Sequence, residues 1–269
     1  MSLEFRTLQP DEFYRQHLRA GERPDGRSLQ ERRPVTISSG HITTADGSAV
    51  VRCGHTTIVA GVKAELAAPC PDQPGRGYLV PNFSFSCGGV AGPGVHVPQQ
   101  VTQFLVTVLA TSGCVAPEQL VAVAGAAGRV WVLYIDLVCV DQDGNLLDTA
   151  LAAMVAALQS VTLPRATQDP DTGEVRVDTA AKRKLELRHR PAAATVAVFP
   201  NPEDAMSPHL VSDPTEEEEQ LSGGGVTVVT VGEEVCHLLQ PAGDTVPPST
   251  LHQAVSLALQ RKSVCDKIT

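Results

Sequence analysis

Positive charge is scarce along the middle of this chain. Between Arg76 and Arg165 there is a single Lys or Arg, Arg129, and the formal charge over 269 residues is −9. A protein that grips nucleic acid unaided usually presents a basic face, because phosphate neutralisation supplies most of the affinity. Tight binding by the lone chain is therefore not expected, and only local basic patches remain. Aromatic residues are also few, at 4%, so the core must rest on Val, Leu and Ala. The cysteines Cys53, Cys70, Cys87, Cys114, Cys139, Cys236 and Cys265 form no CxxC, and none lies near a histidine pair at zinc spacing. Reduced, buried thiols of an intracellular protein are the expectation, with no metal and no cofactor. There is no P-loop, and no GxGxxG opens a helix. The longest apolar run, Val130–Val140, is interrupted by Asp136 and is too short to cross a bilayer. The opening MSLEFRTLQPDEF carries acidic residues and no apolar core of signal-peptide length. A soluble protein with no membrane partner is expected.

Apolar residues make up 42% of the chain and charged residues 19%, ordinary proportions for a globular protein. The length allows one large domain or two small ones. Pro10–Ala20 reads as a helix, with Phe13, Tyr14, His17 and Leu18 on one face and Gly21 as a left-handed stop. A tight turn, Arg23–Arg27, follows. Pro34–Ser39, Ala49–Cys53 and Thr56–Ala64 read as an antiparallel meander. Gly77–Ser86 is a strand, Cys87–Gly94 a loop, and Pro98–Ser112 a helix. The near-continuous apolar character of Val130–Val140 predicts a buried strand. The helix from about Leu147 to Ser160 is apolar on most sides and should be deeply buried. The polar stretch 165–190 holds a candidate hairpin at Asp171-Thr172-Gly173. A second β set then follows at Ala194–Phe199, His209–Asp213, Gly225–Val231 and Glu234–Leu239. The helix from Thr250 to about Lys267, with Ser249 as its cap, closes the chain. Strands followed by a helix occur twice, which implies an α+β fold of two similar halves.

Four stretches in this order resemble the RNase PH family: RPDGR at Arg23–Arg27, ADGSAVVRCGHTTIVAGVKAE at Ala45–Glu65, RVWVLYIDLVCVDQDGN at Arg129–Asn145 and VSDPTEEEE at Val211–Glu219. They look most like the branch that supplies non-catalytic ring subunits of the RNA exosome. FRTLQPDEFYRQHL, ERPDGRSL and HITTADGS are similar to one paralogue of that branch. The resemblance runs from about Phe5 to the last helix. It implies an RNase PH-like fold of two β-α units: an N-terminal helix and turn over 1–28, a first domain over 29–164, a charged connection over 165–190 and a second domain with its C-terminal helix over 191–269. It also implies a hetero-oligomeric ring of RNase PH-like subunits, RNA-binding cap subunits, RNA within the complex, and residence in nucleus, nucleolus and cytoplasm. The implied activity of the complex is 3′-to-5′ RNA processing and decay, including ribosomal RNA maturation.

Phosphorolysis needs a phosphate cradle, carboxylates and cations along the RNA path. The resemblance places the carboxylates at Asp213 and Glu216–Glu219. For these the bland alternative is that Asp213 caps a helical turn, with Pro214 at its first position and Glu216 completing a capping box. Active members carry a Gly-Ser/Thr-Arg type cradle where this chain reads Asn145-Leu146-Leu147. They also place arginines early in the preceding helix, where Gln99, Gln100 and Gln103 stand here. Asp213, Glu219 and Leu147 are thus degenerate site positions of a catalytically silent chain. A phosphorolytic exoribonuclease using Asp213 and Glu219 with an unusual cradle is the second reading, and a stand-alone RNA-binding module the third.

Two basic clusters stand out against the acidic whole: Arg15, Arg19, Arg23, Arg27, Arg32 and Arg33, and Lys182, Arg183, Lys184, Arg188 and Arg190. Arg23, Arg27, Arg129, Lys182, Arg183 and Lys184 are the RNA-phosphate candidates, weighed against intramolecular or solvated charge. Asp141–Asn145 superficially matches a calcium loop, but its glycine comes too early and the distal glutamate is missing; a β-turn accounts for it.

Overall fold

In α1 (Pro10–Ala20), Phe13, Tyr14 and Leu18 are buried on one stripe, and Gly21 at φ 74° closes the helix with its N–H directed at the His17 and Leu18 carbonyls. Leu18 packs with Ala197, Phe199 and Val211, so this N-terminal helix docks on the C-terminal half of the molecule. The structure, a computed structural model, describes residues 8–86, 97–123, 128–168, 175–201, 208–240 and 246–260. The loop expected at Cys87–Gly94, the turn at Asp171-Thr172-Gly173 and the end of the last helix beyond residue 260 lie outside these residues.

The first half is built on β1 (Val35–Ser39), β2 (Gly47–Cys53), β3 (Thr56–Ala67), β4 (Tyr78–Phe85), β5 (Val121–Val123) and β6 (Arg129–Asp141). The β1–β2–β3 meander is antiparallel, β6 pairs antiparallel with β3 and parallel with β4, and the short β5 pairs with β6. Alternation along β6 sends Trp131, Leu133, Ile135, Leu137 and Cys139 into the core. Its other side is only partly covered, with Tyr134 at 40% and Val140 at 53% exposure. The run is continuous in sequence, but one face alone is fully sealed, which corrects the expectation of a wholly buried strand.

Two helices cover the inner face, α2 (Val97–Ser112) and α3 (Leu146–Ser160). α3 packs against β2 and β3, and also against β9 (Pro191–Phe199) of the second half. Flanked by both sheets, it buries eleven of its residues, as its all-round apolar character predicts. The charged connection forms a two-stranded antiparallel arm, β7 (Thr162–Gln168) and β8 (Val175–Lys184). Every β8 residue but the first is exposed, so that strand carries no alternating pattern to read.

The second sheet has the order β10-β9-β11-β12, with β10 (His209–Ser212), β11 (Gly224–Val231) and β12 (Glu234–Leu239), all antiparallel. α4 (Glu216–Leu221) and α5 (Pro248–Gln260) complete it. Ala254 and Ala258 of α5 pack on Val196, Val226 and Val228. Because α5 begins at Pro248, Ser249 sits inside its first turn instead of capping it. Strand–helix units thus occur twice, in an α+β architecture. No described helix is long and apolar enough to cross a membrane.

Candidate functional site

Three chain segments that are distant in sequence meet between the two halves. One is the stretch Arg23–Arg33 ahead of β1, another is the Asp143-Gly144-Asn145 turn from β6 into α3, and the third is Ser212–Thr215 leading into α4. Asp213, 1% exposed and at the left-handed φ of 52°, is the centre of this meeting. Its Oδ2 accepts the Arg33 backbone N–H at 2.8 Å, Arg33 Nε at 2.9 Å and Arg27 Nη1 at 3.3 Å. Its Oδ1 accepts Arg33 Nη2 at 2.9 Å, the Asn145 side-chain amide and, weakly, the Cys53 thiol. Burial alone would raise the Asp213 pKa. The Arg33 hydrogen bonds and charge, helped by Asn145, outweigh it and hold the carboxyl at about 2. Burial likewise opposes the Arg33 charge, yet Asp213 and then Asp143 keep that guanidinium above its ordinary range.

Arg23 is buried beside this pair. Its Nε donates to Glu218 Oε1 at 2.8 Å and its Nη2 pairs with Glu218 Oε2. Its remaining donors reach the carbonyls of Glu31, Ser212 and Asp213. The same Glu218 closes a capping box: Thr215 caps α4 and accepts the Glu218 N–H, while Glu218 accepts the Thr215 N–H at 2.8 Å. A helix cap was expected here with Asp213 and Glu216. The structure shifts it to Thr215 and Glu218, because Asp213 is turned instead toward Arg33, 180 residues away. Arg23 and Arg27 are correspondingly not exposed cations. Arg23 is sealed against Glu218, and Arg27 pairs with Asp25 and Asp213 with its side chain 12% exposed. The intramolecular alternative describes both.

Next to this network lies a cleft of about 550 Å³, lined by α2, the N-terminus of α3, α4 and the Gly223-Gly224-Gly225 stretch into β11. Leu147 is in its wall, and no Lys or Arg lines it among the described residues. Glu219 faces the α3 N-terminus and accepts the Asn145 N–H at 2.7 Å. Asp148, in the first turn of α3, accepts the Thr195 N–H and hydroxyl. A helix N-terminus attracts anions, and here the protein's own carboxylates occupy that position. Glu219 is exposed as a residue, but its carboxyl group lines the cleft, where burial pushes its pKa up to about 7; Asp148 adds to the rise against the pull of the Asn145 N–H. The remaining basic candidates lie elsewhere. Arg129 opens β6, and Lys182, Arg183 and Lys184 close β8, all on the surface. Arg183 also donates to the Gln119 carbonyl. No cluster of acids, histidines or thiols suited to a metal occurs among the described residues.

Sequence reasoning named Asn145 only at the degenerate cradle position and Arg33 only within a basic cluster, and found neither as a partner of Asp213. The only available signal was the density of arginines ahead of β1, matched by acids after β10.

The two shifted carboxyls act oppositely on stability. Asp213 is depressed from 3.8 to about 2, so its contribution is complete above about pH 4 and is lost as pH falls toward 2. That loss amounts to roughly 2 kcal/mol. Glu219 is raised, so the folded state favours its protonated form and stability declines as pH rises from about 4.5 to about 7; contact with water weakens this second effect. Urea unfolding of Asp213→Asn between pH 4 and 2 should lack the steep wild-type decline. An unchanged acid slope would remove Asp213 as its source.

Comparison with known proteins matches the 3′ exoribonuclease family, RNase PH domain 1, over residues 31–164 and domain 2 over residues 189–261. The exosome complex component rrp43 of Schizosaccharomyces pombe is 32% identical over 94% of this chain and 93% of its own length. Among solved structures, an archaeal exosome core superposes with a TM-score of 0.78 at 25% identity, covering 96% of this chain and 95% of the other. The Archaeoglobus fulgidus exosome with RNA bound to the active site gives 0.77 at 26%, with the same coverage of both chains.

Proposed function

Because the chain belongs to the 3′ exoribonuclease (RNase PH) family, we propose that it is a ring subunit of an RNA exosome that performs no phosphorolysis itself. It completes a hetero-oligomeric ring with other RNase PH-like subunits, beneath RNA-binding cap subunits, and so supports 3′-to-5′ processing and decay of RNA, ribosomal RNA maturation included. Such work places it in nucleus, nucleolus and cytoplasm. Near-full-length similarity to an exosome component supports the ring role.

The observation that carries the silent chemistry is the cleft. Joining inorganic phosphate to an RNA phosphate brings two anions together, so cations and N–H donors are required. Here Leu147 stands where a cradle would be needed, Glu219 takes the Asn145 N–H, and no described Lys or Arg lines the space. Asp213, the carboxylate a catalytic reading would use, has its oxygens committed to Arg33, Asn145 and Arg27. It has no free role in metal or proton handling.

Purification of the tagged chain from cells, followed by native sizing and mass spectrometry, should recover stoichiometric RNase PH-like partners and cap proteins. A monomer or homo-oligomer would overturn the ring role. The isolated chain given RNA and inorganic phosphate should release no nucleoside diphosphates, and phosphate-dependent release would overturn the silent reading.

A further inference from the structure

The cleft beside α3 holds acceptors that the protein leaves unsatisfied. Asn145 is 2% exposed. Its Nδ2 must face the Asp213 carboxylate, which fixes the amide's orientation and makes the other end an acceptor. That Oδ1 is buried and has no hydrogen-bond partner among the described residues. Across the same cleft, the Glu219 side chain accepts one hydrogen bond among the described residues, from the Asn145 N–H. Gln100 and Gln142 add amides, and Val101, Leu147 and Leu239 supply apolar wall.

These groups select a ligand by charge and by hydrogen-bond direction. An anion meets Glu219 with no described Lys or Arg lining the cleft to offset it. A purely apolar occupant would desolvate the Glu219 carboxylate and leave the already buried Asn145 Oδ1 without a donor, which is costly. A cation with several N–H groups satisfies both acceptors, and an aliphatic stem suits the Leu and Val walls. The volume of about 550 Å³ lies within the range of small-molecule sites. We propose that this cleft binds an organic cation, a guanidinium or ammonium head on an aliphatic stem, with the head held by Glu219 and Asn145. This rests on the reading of the cleft as unable to hold phosphate.

Proton linkage supports the assignment. The charged groups acting on Glu219 are Asp148 on α3, Glu216 on α4 and Arg33 ahead of β1; the first two hold its proton on, and Arg33 is committed to Asp213 and Asp143. With its carboxyl titrating at about 7, Glu219 must lose a proton to bind a cation. Affinity is therefore full above that pH and falls about tenfold for each unit below it.

The head group could come from a free small amine or from an Arg side chain of a neighbouring protein. Calorimetric titration of the full chain with butylguanidinium, with a capped Gly-Arg-Gly tripeptide and with inorganic phosphate distinguishes these. Butylguanidinium or the tripeptide should bind at about millimolar affinity or tighter, and about tenfold more weakly at pH 6 than at pH 8. Binding of the small cation alone identifies a free ligand, and binding of the tripeptide alone identifies a protein side chain. Glu219→Gln should lose about tenfold in affinity and the pH dependence with it. The wild-type pH series keeps the test decisive even if that variant folds poorly. Absence of binding by both cations, or binding indifferent to pH, overturns the proposal alone, whereas phosphate binding overturns it together with the silent reading of the cleft.

Discussion

Replacing Arg33 by methionine should lower the unfolding free energy by about 3–5 kcal/mol, the range for removing one partner of a buried ion pair. Asp213 would remain ionised at 1% exposure after losing two of its donors, Arg33 Nε and Nη2; the Arg33 backbone N–H persists but loses the guanidinium that holds it in register. Arg27 reaches Asp213 only at 3.3 Å and is already engaged by Asp25, so it cannot substitute. The cost is chiefly an uncompensated charge. The double variant Arg33→Met with Asp213→Asn should therefore be more stable than the single one, a non-additivity readable from urea midpoints in a double-mutant cycle. A single-variant loss below about 1 kcal/mol, the range for an exposed pair, would mean that water reaches this pair and that the network does not join the two halves.

Gly144→Ala should be comparably severe, at roughly 2–5 kcal/mol, adding the penalty of a left-handed residue to that of overpacking. Gly144 has φ 70°, and a Cβ there would lie 2.5–2.6 Å from backbone atoms of Pro214, Thr215 and Glu216. Backbone on both sides leaves no flexible side chain to yield. Gly26→Ala is the matched comparison, with φ 85° and nothing within 4 Å of the added carbon, so it incurs the conformational penalty alone. If thermal unfolding put the two variants level, the contact between the β6–α3 turn and the entry to α4 would not be as close as the geometry gives.

Much of the architecture is legible in the chain because it is written in local patterns. Alternation in Thr56–Ala64, the helical spacing of Val101, Phe104, Leu105 and Val108, and the Asp143-Gly144 turn each act within a few residues. Where the pattern is absent, reading fails for physical reasons. β8 is exposed along nearly its whole length, so its charges are not confined to one face and the segment looks like a connection. β5 is three residues long, shorter than a period-2 signal needs. The continuous apolar run of β6 points to burial on both sides, whereas Tyr134 and Val140 stand exposed.

The site divides in the same way. Asp213, Glu219 and Leu147 are found through resemblance, and the structure places all three at or beside one cleft. Their chemistry is decided by partners that no local rule could supply. The Asp-Pro-Thr-Glu run permits two registers of helix cap, and the choice falls to Thr215 because Arg33 claims Asp213. The arginines ahead of β1 look like a nucleic-acid patch until Glu218 and Asp213 are brought against them. Arg129, Lys182, Arg183 and Lys184 meet no such counterweight among the described residues and stay at the surface.

The distance between those partners also governs how the chain is made. Arg23 and Glu218 are separated by 195 residues, which at typical rates of synthesis is roughly 10–40 s of elongation on the ribosome. During that interval the first sheet can assemble, but α1 has no second sheet to lie on, Arg23 has no Glu218 to meet, and Arg33 has only Asp143. A nascent chain halted before Asp213 therefore leaves an open apolar seam, the kind of surface that chaperones hold and proteases remove. Release of the last third of the polypeptide, more than local folding, sets when this subunit becomes competent to join its neighbours.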